Sequence, residues 1–476
     1  MSNDTPLSKG EKIPILSLFS GAGGLDTGFY TNDKFDVVFA LDIEDAASKT
    51  YSLNHSFKIS SLGNDLNRIE HIFALGDVKK IDMRELSSLN PSVIIGGPPC
   101  QDFSIIRRPS EERKGINVAR GRLYAYFVKA LIILNPDFFV FENVLGLAYQ
   151  NHGTTFRVIK DDFSNLTSKV EKIEEITGNG FSGTTKGYEL LFSDTVDSSV
   201  FGVPQKRQRL IIIGVRRDLV DGLKVDLEQL KGSVKKALRS PNSPFVKFPL
   251  TAMEVLEGGT IPELQDRYSG IIDEWKSSLP KEKLNKWTKD GANFTGDILT
   301  DYLKANSIKN YSDKDLETAW KEHKRMLKEL KYYKRTLDEN VKFDDNSNVI
   351  PKEAEIVKER MRNIPPGENY SFVDNTEFQV KGNDISVVYR RLHPLKPAYT
   401  VLAGGGGGTH GYHYLRERSG LTNRERARLQ SFPDTFKFRG TINEIRRQIG
   451  EAVPPLVGRN ISYVLASLHE KLLRCS

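Results

Sequence analysis

Between Ile13 and Val215 short apolar runs alternate with helix-length amphipathic stretches. Parallel strands cannot be joined by tight hairpins and need crossovers of roughly a dozen residues or more, so this rhythm points to an α/β fold: a mostly parallel sheet with helices on both faces. The runs that predict strands are Ile13 to Phe19, Asp36 to Leu41, Ser92 to Ile95, Phe138 to Phe141, Tyr188 to Phe192 and Leu210 to Val215. From Arg216 to about Ser386 the rhythm stops. The text becomes rich in Lys and Glu, with prolines at 241, 244, 249, 262, 280, 351, 365 and 366, which marks a second domain or a large insertion. Its clearest element is a helix opening at Ser312, with Asp315 placed for a capping box and Leu316, Trp320, Leu327 and Leu330 along one face. Five glycines between Ala403 and His410 mark a turn, and the text after Leu421 reads as helix, loop and helix. There is no internal repeat.

Composition narrows the class. With 476 residues, and roughly 150 residues per domain, the chain has room for two or three domains. No stretch approaches the roughly 18 to 20 apolar residues of a membrane span: even Tyr126 to Phe141 is interrupted by Lys129, Asn135, Pro136 and Asp137. The first residues lack the apolar core of a secretory signal. Cys100 and Cys475 are the two cysteines, too few for a disulfide framework, so a reducing, cytoplasmic setting is expected. The formal charge of +7 admits nucleic acid as a partner without requiring it.

The first strand runs into Ser20-Gly21-Ala22-Gly23-Gly24-Leu25-Asp26. Glycines just past a strand let the backbone turn tightly and approach a ligand at the following helix N-terminus. A dinucleotide fingerprint wants a third glycine where Asp26 stands, so NAD or FAD fits badly. The second strand ends at Asp42, where a carboxylate can accept from ribose hydroxyls, and Gly76-Asp77-Val78 places another acid at a strand end, suited to an adenine amine. Either acid could instead be a solvated helix cap. Glycine turn, ribose acid and adenine acid without a pyrophosphate grip suit S-adenosyl-L-methionine better than a dinucleotide.

Gly96-Gly97-Pro98-Pro99-Cys100-Gln101-Asp102-Phe103-Ser104 then follows the strand Ser92 to Ile95. With SLFSGAGGLDTGF at Ser17 to Phe29, FENV at Phe141 to Val144, GVPQKRQRLIIIG at Gly202 to Gly214, LTNRERARLQSFPDTF at Leu421 to Phe436 and QIGEAVPP at Gln448 to Pro455, the chain resembles the DNA cytosine-5 methyltransferases, in that family's motif order and over nearly all of its length except the middle. The resemblance implies a Rossmann-like methyltransferase core using S-adenosyl-L-methionine, plus a smaller target-recognition domain, with no metal. It divides the chain into 1–215, the main part of the catalytic domain; 216–402, target recognition with an insertion; and 403–476, a segment returning to the catalytic domain.

Cytosine C5 is a poor nucleophile until a thiolate adds to C6, which makes the ring electron-rich; loss of the C5 proton and of the thiolate then restores it. Cys100 matches the family's nucleophile. Glu142 matches the acid placed against N3 and the exocyclic amine, and Asn143 is expected to fix the loop. Arg207 and Arg209 match the family's pair near O2, where a fixed cation stabilises developing charge. The same carry-over puts Phe19, Gly21, Ala22, Gly23, Gly24, Leu25, Asp42, Ile43, Asp77, Val78, Pro99, Leu123, Glu451 and Val453 around the methyl donor. Glu451 departs from the commoner Asn.

The target carbon lies inside the helix stack, so the nucleotide must be extruded. Gln101 to Arg120 carries Arg107, Arg108, Arg113, Lys114 and Arg120, and in the family this segment closes over the flipped base; Ser104, Arg107, Arg108 and Arg113 are expected on DNA. Arg390 and Arg391 in YRRLHPLKPAYTVLAGGGGG are further candidates. The reading is therefore a DNA (cytosine-5-)-methyltransferase acting on a duplex in the cytoplasm at the nucleoid, as a monomer, and protecting host DNA alongside a cognate restriction endonuclease. A transfer RNA methyltransferase on the same core is the alternative, and a DNA-binding relative without chemistry is a third class.

Overall fold

The computed structural model describes residues 12–61, 71–99, 122–149, 153–178, 185–221, 226–289, 294–380, 388–404 and 411–475. Within them, apolar and β-branched runs form eight strands: Ile13–Leu18 (β1), Phe35–Asp42 (β2), Lys58–Ser61 (β3), Ile72–Leu75 (β4), Val93–Gly96 (β5), Phe138–Val144 (β6), Tyr188–Asp197 (β7) and Gln208–Arg216 (β8). They make one sheet in the order β3-β4-β2-β1-β5-β6-β8-β7. β1 to β6 pair in parallel, and β8 runs antiparallel to both its neighbours.

Successive residues of the central strands are buried alike. Leu16, Phe39, Ile94 and Phe139 join one core with Phe127 and Leu131 of the helix Arg122–Leu134 (below, α3), while Ile15, Val37, Ile95 and Val140 are buried on the opposite side. There Tyr51, in the helix Asp45–His55 (α2), meets Phe73 with ring centroids 5.1 Å apart, and His469 meets Phe138 at 6.5 Å. Both faces are therefore covered, as a parallel sheet requires. Between β1 and β2 the short helix Gly24–Phe29 (α1) follows the glycine turn.

Six of the strands match the sequence expectation to within a few residues. β6 and β7 run further than their apolar text, to Val144 and Asp197, because the ladder with β8 continues to Arg209 and Gln208. β3 is additional, and β4 is the strand implied by the acid placed at Asp77. Among the described residues no helix is long and apolar enough to cross a membrane.

The chain clusters into two compact units: Met1–Asp197 with Gln208–Pro241 and Val457–Ser476, and Ser198–Arg207 with Asn242–Leu456. The first contains the whole sheet. The stretch 403–476 is shared, with 403–456 in the second unit and 457–476 in the first.

The second unit is built of helices and irregular chain. Its helix Asp313–Glu329 starts on the expected capping box, in which Asp315 N donates to Ser312 Oγ at 3.2 Å and Ser312 N to Asp315 Oδ2 at 3.1 Å. Leu316, Leu327 and Leu330 are buried, and Trp320 is half-buried with its ring edge-on to Tyr302. The expected helix, loop and helix after Leu421 is found as Asn423–Leu429 and Ile442–Glu451.

Candidate active site

In the first unit the candidate residues gather at one edge of the sheet. β1 is followed in sequence by β2, its neighbour on one side, while its other neighbour is β5. The strand order reverses there, and ligands of open α/β sheets bind outside the strand carboxyl ends at such a point.

The glycine turn leaves β1 through Phe19, whose φ of 57° is left-handed. For a bulky residue that conformation is strained by about 1–3 kcal/mol, and it persists only where the surroundings enforce it. They do: Ser20 N donates to Leu41 O at 3.0 Å, and Ser20 Oγ accepts from Leu41 N at 3.1 Å. Gly21 N donates to Asp42 Oδ2 at 2.8 Å, and Glu44 N to Asp42 Oδ1 at 3.0 Å. Burial raises the Asp42 carboxyl above its usual range, opposed by the N–H groups of Gly21, Glu44 and Ile43. Gly23 has φ of 82°. Ala22, Gly24 and Leu25 are buried behind the turn.

Next to Asp42, Ile43 is 62% exposed, an apolar side chain left open beside a carboxylate. Asp77 follows β4, where its Oδ1 caps a short 3₁₀ turn by accepting from Lys79 N at 3.0 Å; it is half-buried, and Val78 behind it is buried. Leu123 is half-buried in the first turn of α3.

The chemistry-bearing side chains lie on the adjoining strands. Gly96 pairs with Phe141, so Gly97 falls beside Glu142. A Cβ on Gly97 would stand 2.7 Å from Glu142 Oε2, so a side chain there would have to displace the Glu142 carboxyl. Glu142 and Arg209 are diagonal neighbours on one face of the β6–β8 ladder, with Arg209 Nε 3.1 Å from Glu142 Oε1 and both side chains mostly buried. Asn143 Nδ2 donates to Pro98 O at 3.0 Å, and its Oδ1 accepts from Val144 N at 2.9 Å. That amide ties the end of β6 to the loop that leaves β5 through the exposed Pro99. Cys100, Ser104, Arg107, Arg108 and Arg113 lie outside the described residues.

Of the second-unit candidates, Arg207 is 1% exposed and donates through Nη1 to Val401 O at 3.1 Å and through Nη2 to Gly450 O at 2.7 Å. Its neighbour Gln205 adds Val401 N to Oε1 at 2.8 Å. Arg207 therefore clamps two backbone segments of its own unit. Glu451 is exposed at the end of its helix, and Val453 is buried. Arg390 lies over the Tyr399 ring, 3.0 Å from its centroid.

Arg391 is a correction. It is fully buried, and its Nη1 donates to the carbonyls of His413, Leu415 and Arg418 while Nη2 donates to that of Met361. A guanidinium so engaged holds loops together, and the expectation that it contacts DNA is withdrawn.

The sequence did not single out Gly97, Asp26, Tyr51 or His55. The glycine pair before Pro98 was a usable signal for the first. The other three sit together under the glycine turn, Asp26 and Tyr51 buried and His55 half-buried, which no spacing announces.

With this geometry in place, comparison with known proteins gives a consistent result. The family model for C-5 cytosine-specific DNA methylase matches residues 13–467. The DNA (cytosine-5-)-methyltransferase M.ApeKI of Aeropyrum pernix is 47% identical over 466 residues, covering 96% of this chain and 99% of its own. The Type II methyltransferase M.NgoFVII of Neisseria gonorrhoeae is 30% identical, over 98% of this chain and 92% of its own. A solved chain described as a prophage-encoded DNA modification methyltransferase from E. coli superposes with a TM-score of 0.53 at 22% identity, covering 96% of this chain and 100% of its own, and so shares the fold.

Proposed function

The chain belongs to the C-5 cytosine-specific DNA methylase family, and on that premise we propose that it moves a methyl group from S-adenosyl-L-methionine to C5 of a flipped-out cytosine in duplex DNA through a covalent adduct at Cys100. The observation that carries the residue roles is the mostly buried Glu142–Arg209 contact at 3.1 Å, packed against Gly97 three residues before Cys100.

The residues at the sheet edge fit the donor. Asp42 and Asp77 offer strand-end carboxylates for ribose hydroxyls and an adenine amine, exposed Ile43 offers an apolar surface for the adenine ring, and no third glycine is present to grip a pyrophosphate. When bound, S-adenosyl-L-methionine supplies an electrophilic methyl group on a sulfonium.

Cys100 Sγ attacks C6 of the base as a thiolate, and negative charge builds towards N3 and O2. Glu142 accepts from the exocyclic amine and holds a proton at N3. Arg209 orients the Glu142 carboxyl and sets a fixed positive charge beside O2. Asn143, through Pro98, holds the loop that presents Cys100. Arg207 acts one step back, by fixing the Val401 and Gly450 backbone of its own unit. After methylation the C5 proton leaves and the C6–S bond breaks, returning the thiolate.

The basic residues Arg107, Arg108 and Arg113, with Ser104, contact DNA near the flipped base, and residues 216–402 read the target sequence, with Arg390 a candidate contact. The enzyme works in the cytoplasm at the nucleoid and protects host DNA against a restriction endonuclease, a role supported by the "Type II" designation of its relative M.NgoFVII. The transfer RNA reading is not favoured, since the matched family and both relatives are DNA methylases or methyltransferases by description.

A covalent trap tests the chemistry. Fluorine at C5 of the target cytosine permits thiolate attack and methyl transfer, but no base can remove fluorine as a cation, so the enzyme stays bonded to C6. A denaturation-resistant adduct with 5-fluorocytosine duplex is expected in the presence of S-adenosyl-L-methionine, and its absence in Cys100→Ser, while Cys475→Ser traps normally. Trapping by Cys100→Ser, or a peptide map placing the bond elsewhere, would overturn the mechanism.

A further inference from the structure

Under the glycine turn lies a buried polar cluster that no step of the reaction uses. Asp26, in the first turn of α1, is 1% exposed. Its Oδ1 accepts from Tyr51 Oη of α2 at 2.9 Å, and its carboxyl also accepts from the Ser17 side chain of β1. Among the described residues no cation pairs with it. The titratable groups around it are Tyr51 and His55 of α2 and Tyr30 just past α1, with Asp36, itself 3.0 Å from His71, acting on Tyr30 from β2.

The partner of Asp26 shapes the turn directly. A Cβ on Gly23 would stand 2.7 Å from Tyr51 Cδ2 and 3.0 Å from His55 Nε2, so these two rings press against the Gly23 backbone. Thr27 completes the bracket, its Oγ1 donating to Gly23 O at 2.6 Å and lying 3.3 Å from His55 Nε2. The Tyr51 ring has one polar handle, and Asp26 holds it.

We propose that Asp26 is a positioning residue of the methyl-donor site: by holding Tyr51 against Gly23 it fixes the turn Ser20–Gly24, and affinity for S-adenosyl-L-methionine depends on its carboxylate. This rests on the reading above that the turn faces the methyl donor.

Burial without a cation pushes the Asp26 carboxyl up to about 6, with the Ser17 and Tyr51 hydrogen bonds opposing. His55 is pushed down to about 3 by burial, and Tyr30 and Tyr51 are raised by burial, so these three stay neutral near pH 6. Ionised, Asp26 accepts from both hydroxyls. Protonated, its own O–H must donate, so either the Tyr51 or the Ser17 hydroxyl has to turn from donor to acceptor or give up its bond, and the hold on Tyr51 is altered. Donor affinity therefore falls as the pH drops through about 6.

Equilibrium binding of S-adenosyl-L-methionine to the full chain, followed from about pH 8 to pH 5, tests this. The wild type should lose roughly three- to tenfold in affinity across the range. Asp26→Asn should bind more weakly at pH 8 by about tenfold, flatten the step, and speed hydrogen exchange at the Gly21 to Thr27 amides. Tyr51→Phe keeps the ring and removes the handle, so it serves if Asp26→Asn fails to fold; it too should weaken binding and shrink the step. Variants with wild-type melting temperature, affinity and pH profile would overturn the role of Asp26 while leaving the donor assignment intact. A wild type that binds no S-adenosyl-L-methionine at any pH would overturn the donor assignment and this inference with it.

Discussion

The two units of this chain bury different things. The first fills its interior with apolar side chains from both faces of the sheet and brings its charged candidates to one edge. The second buries paired charges: Arg424 with Asp345 at 2.6 Å, Arg428 with Asp434 at 2.6 Å, His323 with Glu254 at 2.8 Å and Arg418 with Glu425 at 2.7 Å. Apolar burial is non-directional and tolerates exchange at constant volume, whereas a buried charge is stable only with its partner in place. Substitutions at the edge of the first unit should therefore change chemistry at little cost in stability, and substitutions inside the second should do the reverse.

The largest effect should come from Glu142→Gln. The amide keeps the shape of the carboxyl but cannot give a proton to N3, and loss of a general acid typically costs about 10²- to 10⁴-fold in rate. Single-turnover methylation should fall by that factor; the Gln oxygen can still accept from Arg209, so the guanidinium keeps a partner and the melting temperature should shift by no more than a few degrees. A variant that melts as early as a core variant would break the division between the units, because Glu142 would then be holding the sheet together.

Arg428→Met should show the opposite balance. Arg428 makes a bidentate pair with Asp434, with Nε–Oδ1 at 3.0 Å and Nη2–Oδ2 at 2.6 Å, and Nη1 also donates to Val255 O and Arg335 O. Removing Arg428 leaves the buried Asp434 with only the more distant Arg335, at 3.5 Å, at a cost of up to about 3–5 kcal/mol. Denaturant unfolding should show that loss, and adding Asp434→Leu should recover much of it. If the double variant stayed as unstable as the single one, the pair would not be the source of the loss.

The same contrast explains what could be read from the sequence. In the first unit the apolar runs of β1, β2, β5, β6, β7 and β8 carry their own period, and residues such as Asp42 and Glu142 fall where those runs end. β3 was illegible because Lys-Ile-Ser-Ser is a short, largely exposed edge strand without an apolar signature. The burial of Asp26 was illegible, since nothing local distinguishes a buried acid in the first turn of a helix from a solvated one. In the second unit the text NRERARL looks like an exposed charged helix, yet Arg424, Arg426 and Arg428 are all buried. Asp345 and Asp434, the partners of Arg424 and Arg428, are set by tertiary packing, and no local pattern encodes such a pairing. Arg391 misled for the same reason: an arginine in a basic stretch suggests a phosphate, but this one is spent on carbonyls. The helix Asp313–Glu329 was legible because its capping box is local.

The smallest effect sharpens the comparison through pH. His323 is fully buried; burial alone would lower its pKa, but the charge and hydrogen bond of Glu254 and the Phe248 carbonyl outweigh it and raise it. A group raised on folding stabilises the chain fully below its unfolded value, near 6.5, and that contribution is lost as the pH climbs through the folded value. Asp26 is also raised, from 3.8 to about 6, but by burial with no compensating charge. Its contribution is present below about pH 4 and gone above about pH 6, so at pH 8 the carboxylate is carried less favourably by the folded chain than by the unfolded one. The two groups titrate in the same direction yet respond oppositely to neutral replacement. His323→Gln should destabilise, and more so at pH 6 than at pH 9, because it removes a cation that Glu254 needs. Asp26→Asn should stabilise at pH 8, since the displacement from 3.8 to about 6 corresponds to at most about 3 kcal/mol of linkage, of which about 1–2 should be recovered after the altered hydrogen bonds to Tyr51 and Ser17. Near pH 4.5 the gain should vanish. Melting curves of both variants across this range would decide: an Asp26→Asn that is destabilised at pH 8 would mean the carboxylate is needed for folding as well as for the turn, and the first unit would then depend on buried charge as the second does.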